Sequence, residues 1–400
     1  MRPGWKEVQL SDYINVKHGY AFKGENFCDA PNNNLVVSPG NFSIGGGFFD
    51  GKRKYYDGEI PNEYILNTND LIVTMTDLSK FSDTLGYSAL VPNNPPFQYL
   101  HNQRIGLVEF LSDEIDREFL YWLMRTRKYQ KYITSRASGS TVKHTSPSSI
   151  TSYSFFCPSL PEQCAIAATL SCLDEKIELN NKINANLEAQ AQAIFKSWFV
   201  DFEPWGGIMP EGWREGCLAD VCNYCSDRVP VSTLSLNTYI STENMLPNKM
   251  GFVNATNLPT TSQVTSFKNG DILISNIRPY FKKIIYCDFD GGCSTDVLCF
   301  RASKSYASLF LYCTLYSDRF FDYMVAGSKG TKMPRGDKQQ VMNYTFVIPN
   351  DETLSEFNSV ISPLMKNKSL LTAESLCLAA IRDALLPKLM SGEIEVPFTE

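Results

Sequence analysis

Apolar residues recur at alternating steps of four and three from Ile166 through Leu170, Leu173 and Ile177, and again at Leu187, Ala191, Ile194 and Trp198, with Asn180 and Asn184 filling two positions of the same series. That spacing is the seam of a coiled coil. The segment that carries it, Pro161 to Pro204, has no Gly and no internal Pro, and it predicts one long helix. A helix with a single apolar stripe needs a partner. Counting on from Phe357 with the same steps gives Ile361, Leu364, Lys368, Leu371, Ser375, Leu378, Arg382, Leu385 and Leu389, so Leu354 to Met390 predicts a second helix with a matching stripe. Pro363 and Pro387 lie inside that segment, and a bend or an interrupted end is expected there.

Elsewhere the pattern shortens. LVVSPG, YILNT, LIVTM and IGLVEF in the first half, and DILIS, KIIYC and VLCFR in the second, are β-patterned runs set between Gly, Asn, Asp and Pro clusters. The order of features repeats. PGWKEVQLSDY from Pro3 is echoed by EGWREGCLADV from Glu211, which matches Trp5 with Trp213 and Leu10 with Leu218. NDLIVT from Asn69 answers GDILIS from Gly270, and the helical REFLYWLMRTRKY from Arg117 answers ASLFLYCTLYSDRF from Ala307. SGST at Ser138 and SKGT at Ser328 follow, and each half leaves through a short strand ending in proline, YSFFCPSLPEQ and YTFVIPNDET. The expected organisation is α+β and duplicated: a globule over 1–158, a long helix over 159–204, a related globule over 205–350, a second long helix over 351–392 and a tail over 393–400.

Composition narrows the function classes. The 400 residues suit two or three domains, and neither an eighteen-residue apolar run nor a signal-like apolar start is present, which points to a cytoplasmic protein with no membrane span. The twelve cysteines are scattered, often within apolar strings such as FFCPSL, as befits small buried hydrophobes in a reducing compartment. The net charge of −6 hides an uneven distribution. No acidic residue lies between Glu118 and Glu162, where Arg125, Arg127, Lys128, Lys131, Arg136 and Lys143 stand with His144. Smaller basic clusters hold Arg278, Lys282 and Lys283, then Lys329, Lys332, Arg335 and Lys338. Such local excess is what a phosphate backbone requires, and equally what a solvated face balanced by nearby acids would show.

Motifs that would carry catalysis are weak. NPPF at Asn94 to Phe97 matches the turn with which adenine methyltransferases hold a flipped base, but it has no glycine-rich strand-to-helix turn before it and reads as a proline loop. Cys222 and Cys225 form a lone C-x-x-C without a second ligand pair, so no metal site is expected. The triplet Gly45 to Gly47 runs into aromatics rather than a helix, which disfavours a phosphate loop. What remains is a binding constellation. In SNIRPYFKK, Arg278 offers a fork for guanine or phosphate, Tyr280 a stacking face, and Lys282 and Lys283 backbone charge. TMTDLSK, with Thr74, Thr76, Ser79 and Lys80, holds the corresponding place in the first half. Gly139 to His144 (Ser140, Thr141, Lys143, His144) and Gly330 to Arg335 (Thr331, Lys332, Arg335), the latter preceded by Lys329, form a second lip. The same segments could be strand ends packed for stability, and the whole chain could be a coiled-coil adaptor that binds protein.

The chain resembles the specificity subunits of type I restriction-modification systems over nearly its whole length. The likeness rests on the helix from Pro158 to Pro204, on LLPKLMSGEIEV from Leu385, and on GYAFKGENF, NDLIVTMTD, GDILISNIRPYFKK and GTKMPRGD. The resemblance implies two target-recognition globules, each reading half of a split site in double-stranded DNA, with Lys23 of the first signature among the candidate contacts. It also implies an antiparallel pairing of the two long helices, which would space the globules and dock two methyltransferase subunits. S-adenosylmethionine, and for cleavage ATP and Mg, would sit on the methyltransferase and motor-nuclease partners, and this chain would hold no cofactor and perform no catalysis. Lys368, Ser375 and Arg382 depart from an apolar stripe, so looser pairing, or reliance on a partner, is expected there.

Overall fold

The computed structural model describes residues 4–51, 53–79 and 82–397. They form two compact units, one of 1–178 with 375–400 and one of 179–374, so the dividing lines fall inside the two long helices. Among the described residues no helix is long and apolar enough to cross a membrane.

In unit one, Lys6–Gln9 pairs antiparallel with Ser154–Cys157, closing the globule where its chain enters and leaves. The central sheet runs Ile14–His18, Ile105–Phe110, Leu71–Thr74, Ser88–Leu90, all antiparallel. Side chains alternate across a strand. Leu71 and Val73 therefore join a core with Phe119, Trp122, Tyr129 and Ile166, while Ile72 joins Leu35, Ala89 and Tyr99 on the other face. That double burial explains an apolar LIV run with no polar alternation. The second face is covered by a five-stranded sheet in the order Phe27–Cys28, Tyr55–Tyr56, Asn34–Val37, Gln98–His101, Ile65–Leu66, in which Asn34–Val37 and Gln98–His101 run parallel.

REFLYWLMRTRKY is two helices rather than one: α1 (Arg117–Leu123) and α2 (Arg127–Ser135). Thr126 breaks the run because its Oγ1 accepts from the Tyr129 N–H at 3.2 Å, an N-cap that starts a new helix. After α3 (Pro147–Thr151) comes α4 (Leu160–Phe199), forty residues without interruption.

Unit two repeats the plan. Arg214–Cys217 pairs with Thr345–Ile348, and a four-stranded sheet runs Cys222–Tyr224, Val297–Ala302, Ile272–Ser275, Ile284–Tyr286. The helices are α5 (Ser308–Tyr316), α6 (Asp318–Ala326), capped by Ser317, α7 (Lys338–Met342) and α8 (Asp351–Met390). Small turns coincide too. Asn67 N–H donates to Asp70 Oδ2 at 2.8 Å and Lys268 N–H to Asp271 Oδ2 at 2.7 Å, while Asn69 and Gly270 both take positive φ, 64° and 90°.

α8 runs unbroken through Pro363 and Pro387, so the expected interruption is absent. Both prolines lie on the exposed face, where the carbonyls they leave without an amide partner can bond water.

Within unit two, Asn180 donates to Glu374 at 2.8 Å, Asn184 to Thr372 at 3.1 Å, and Lys368 pairs with Glu188; partners rise on α4 as they fall on α8, so the helices are antiparallel. Ile194 and Trp198 pack with Phe357, Ile361 and Leu364. Within unit one, Ile166 and Leu170 pack with Leu385 and Leu389, and Asp174 pairs with Arg382. Leu187 is buried, and Leu173, Ile177, Leu371 and Leu378 are half-buried. Two polar positions of the second stripe are therefore met by acids on α4 instead of loosening the seam. Burial opposes the Asp174 charge, but Arg125 and then Arg382 hold its pKa below the ordinary carboxylate range.

Candidate nucleic-acid interface

In each unit the two predicted lips are one hydrogen-bonded structure. Beyond Leu71–Thr74, Thr76–Asp77 pairs antiparallel with Lys143–His144, and Thr145 N–H donates to Met75 O at 3.0 Å. Ser138 and His144 exchange two backbone bonds of 2.9 Å each, closing a hairpin. Its Gly139 has φ +93°, and a Cβ there would meet the Val142 carbonyl oxygen at 2.0 Å, so the turn needs glycine. The hairpin leaves Ser140 and Thr141 exposed at its tip. Unit two repeats it: Ile277 bridges Arg335, Arg278 N–H donates to Pro334 O at 2.8 Å, and Lys329 and Arg335 exchange two bonds of 2.9 Å. Gly330 has φ +101°, and Thr331 and Lys332 are exposed at the tip.

Several predicted readers turn out to be scaffold. Thr74 is fully buried, its hydroxyl donating to Thr76 O at 2.9 Å, just as Ser275 donates to Ile277 O at 3.1 Å. Thr76 is buried as well, and its hydroxyl lies 3.1 Å from His144 Nδ1, so it orients the histidine. Ser79 Oγ accepts from Asp83 N–H at 3.0 Å. Lys80 lies outside the described residues. The organising group of this lip is Asp77, a buried carboxylate that accepts from Ser79 N–H, Thr84 N–H, Thr84 Oγ1 and Leu85 N–H. Burial disfavours its charge, but these donors outweigh burial and lower its pKa.

The unit-two lip projects aromatic rings. Arg278 and Lys282 both adopt the left-handed region at φ +50°, on either side of a tight turn at Pro279–Phe281. The turn pushes out Tyr280 (49% exposed) and Phe281 (37%), whose ring centres are 4.8 Å apart. A hairpin bridged at Met245 and Phe252 braces it, with Asn248 N–H donating to Phe281 O at 2.7 Å and Lys249 N–H to Lys282 O at 2.9 Å. Unit one has the matching hairpin, bridged at Phe42 and Phe48, with Ile44 exposed at its tip. Sequence reasoning missed both hairpins; the glycine triplet and NKMG were the available turn signals.

The cations divide into two groups. Lys282 and Lys249 share Asp318 at 2.7 and 2.9 Å, Lys329 pairs with Asp337 at 2.6 Å and Arg335 with Asp296 at 3.1 Å. Lys283 donates to Thr242 O at 2.6 Å, and burial lowers its pKa. Among the described residues Lys143 and Lys332 have no such pairing, and Arg278 Nε is buried without an acceptor. Lys23 is exposed, and no hydrogen bond or ion pair among the described residues joins it to either lip. Arg125, counted above with the basic cluster, is a buried rivet that donates to Gly45 O at 3.0 Å, Tyr121 Oη at 2.5 Å and Asp174 at 2.8 Å.

NPPF forms a turn closed by Phe97 N–H to Asn94 O at 3.0 Å, with Arg53 over the Phe97 ring. Of the C-x-x-C pair, Cys222 is buried and its thiol donates to Leu218 O, whereas Cys225 meets Cys299 and Asp271.

Residues 3–189 match the family described as type I restriction modification DNA specificity domain. The chain is 28% identical to the type I restriction enzyme MjaIX specificity subunit of Methanocaldococcus jannaschii over 71% of each chain. It is 31% identical to the HindI specificity subunit of Haemophilus influenzae over 38% of this chain and 39% of that one. Among solved structures, the type I restriction-modification S subunit from M. genitalium superposes with a TM-score of 0.57 at 18% identity, covering 99% of this chain and 97% of that one, which is a likeness of fold.

Proposed function

We propose that the chain is a DNA specificity subunit of a type I restriction-modification system and that it reads a bipartite site in double-stranded DNA, one half with each unit. The observation that carries this reading is the doubled lip. Two segments far apart in sequence are joined by the same backbone bonds in both units, while the residues at their tips differ. A shared frame with different tips suits two readers of different half-sites. Lys143 and Lys332 would meet phosphates, which position the duplex, and Ser140, Thr141, His144, Thr331 and Arg278 would reach base edges. Tyr280 and Phe281 offer apolar contact to bases or sugars. The paired helices would fix the half-site spacing, near one turn of DNA, about 34 Å, and would dock two methyltransferase subunits. S-adenosylmethionine would be bound there, and ATP and Mg on the motor-nuclease subunits, with the assembly working in the cytoplasm. This chain would supply the address alone.

Mapping methylated adenines in cells that carry this gene with its methyltransferase partner tests the reading. One motif of two short half-sites around a fixed unread gap is expected. A single continuous motif, or no methylation from a complex shown to assemble, contradicts it.

A further inference from the structure

Unit two holds a thiol pair for which DNA reading has no use. Cys225 follows Cys222–Tyr224, and its N–H donates to the Cys299 carbonyl at 2.8 Å. The register that sets Cys222 against Ala302 and Tyr224 against Phe300 puts Cys225 directly across from Cys299. Facing residues that share backbone bonds in an antiparallel pair have Cα atoms about 5.5 Å apart, inside the roughly 4.4–6.8 Å that a disulfide spans. The two Sγ atoms are 2.8 Å apart, nearer than unbonded sulfurs ordinarily rest. Closing to a bond of about 2.05 Å needs a shift of under about 1 Å.

The two thiols are not alike. Cys299 is buried, and its hydrogen bonds to Cys225 and Cys293, then burial, keep it protonated well above the ordinary thiol range. Cys225 is half-buried, and both cysteines line a cavity of about 270 Å³ beside Arg228, Thr265, Thr295 and Lys338. The more exposed Cys225 is the sulfur that a small reagent in this cavity meets first, with the buried Cys299 in reach beside it, which is the layout of an oxidisable pair.

Asp271 lies 3.6 Å from Cys225 Sγ, which raises the alternative of a metal centre. Its oxygens are already engaged: Oδ2 accepts from Lys268 N–H at 2.7 Å and Arg301 at 2.7 Å, and Oδ1 from Arg301 Nε at 2.9 Å. Asp70 makes the same turn in unit one, where Lys17 and Leu107 face each other in the place of the two cysteines. The carboxylate is thus part of the shared frame, and the thiols are an addition peculiar to unit two.

We propose that Cys225 and Cys299 form a modification site that hydrogen peroxide converts to a disulfide. The Cys225 thiolate attacks one peroxide oxygen; an S–O bond forms, the O–O bond breaks, and the departing hydroxide takes up a proton to leave as water. The Cys299 sulfur then attacks the Cys225 sulfenic sulfur and gives up its proton; the S–S bond forms, the S–O bond breaks and a second water leaves. The two sulfurs together lose two electrons, which the two peroxide oxygens gain, so two thiols and one peroxide give one disulfide and two waters.

The test uses the full chain with the exposed Cys164, Cys172 and Cys377 replaced by serine, so that crosslinks between chains do not intervene. After peroxide treatment, remaining thiols are alkylated and the digest is analysed by mass spectrometry without reduction. The expected product is a peptide pair joined through Cys225 and Cys299, abolished by dithiothreitol. In Cys299→Ala, Cys225 should instead be trapped by dimedone as a sulfenic acid. The proposal is overturned if Cys225 links to Cys293 or another cysteine, or if both thiols stay fully alkylated while the treated chain keeps its native circular dichroism. The linkage map of the chain with Cys225 and Cys299 intact decides the matter even if Cys299→Ala fails to fold.

Discussion

Arg278 holds a left-handed backbone at φ +50°, as Lys282 does on the other side of the same turn. For a residue with a Cβ that conformation costs roughly 1–2 kcal/mol, and uncompensated strain of this kind tends to persist where a side chain is needed for function. Arg278→Gly should therefore raise stability by about 1 kcal/mol while weakening recognition or relaxing one base position in the second half-site only. Urea unfolding and a methylation map read the two effects separately, and equal loss at both half-sites would argue against independent readers. His101 gives a pH dependence of a different origin. It is fully buried, its Nε2 lies 2.9 Å from Ile105 O, and burial lowers its pKa to about 4. The unfolded chain, with a histidine pKa of about 6.5, binds the proton first, so stability rises with pH between about 4 and 6.5 and falls on acidification through that window. The full effect is about 3 kcal/mol. His101→Gln should flatten the change in urea midpoint between pH 7 and pH 5; an unaltered slope would place the titration elsewhere.

At the scale of elements, the helix pair is specified by charge as well as by its apolar seam. Glu188 is buried, accepts from Tyr312 Oη at 3.0 Å and Gln192 Nε2 at 3.0 Å, and pairs with Lys368. Removing one member of a buried pair leaves an uncompensated charge, so Lys368→Met should cost about 3 kcal/mol. Adding Glu188→Gln, whose amide oxygen can still accept from Tyr312, should recover most of it; a double variant no better than the single one would mean the charges do not interact. The steps of four and three were enough to place α4 and α8, because periodicity is a local property. The role of Lys368 and Arg382 was not legible, since their acids at Glu188 and Asp174 come opposite only in the antiparallel register, which distant contacts determine. The break between α1 and α2 was hidden for the opposite reason. Thr126 sits within a strongly helical string, and its capping bond outweighs the propensity on either side.

For the whole molecule, the duplication was readable from order alone, and two lip segments could be named in each half, but that they hydrogen-bond to each other was not readable. Nor was it readable which lip residues face outward. Thr74 and Thr76 have the composition of readers, yet they sit in a stretch buried on both faces, and only the strand register reveals that. The hairpins at Phe42 to Phe48 and Met245 to Phe252 were not legible because each is closed by a single bridge between aromatic or apolar residues, with no alternating run on either side of its turn. The central claim is that two related readers are held at a separation set by the paired helices. It is tested most directly by inserting one heptad into α4 beside Asn184 and one into α8 beside Thr372, which keeps the seam in phase and adds about 10 Å of helix, close to three base pairs. Methylated adenines would then be mapped in cells carrying either form with the methyltransferase partner. The account predicts the same two half-sites with the gap between them longer by about three base pairs; an unchanged gap would contradict it.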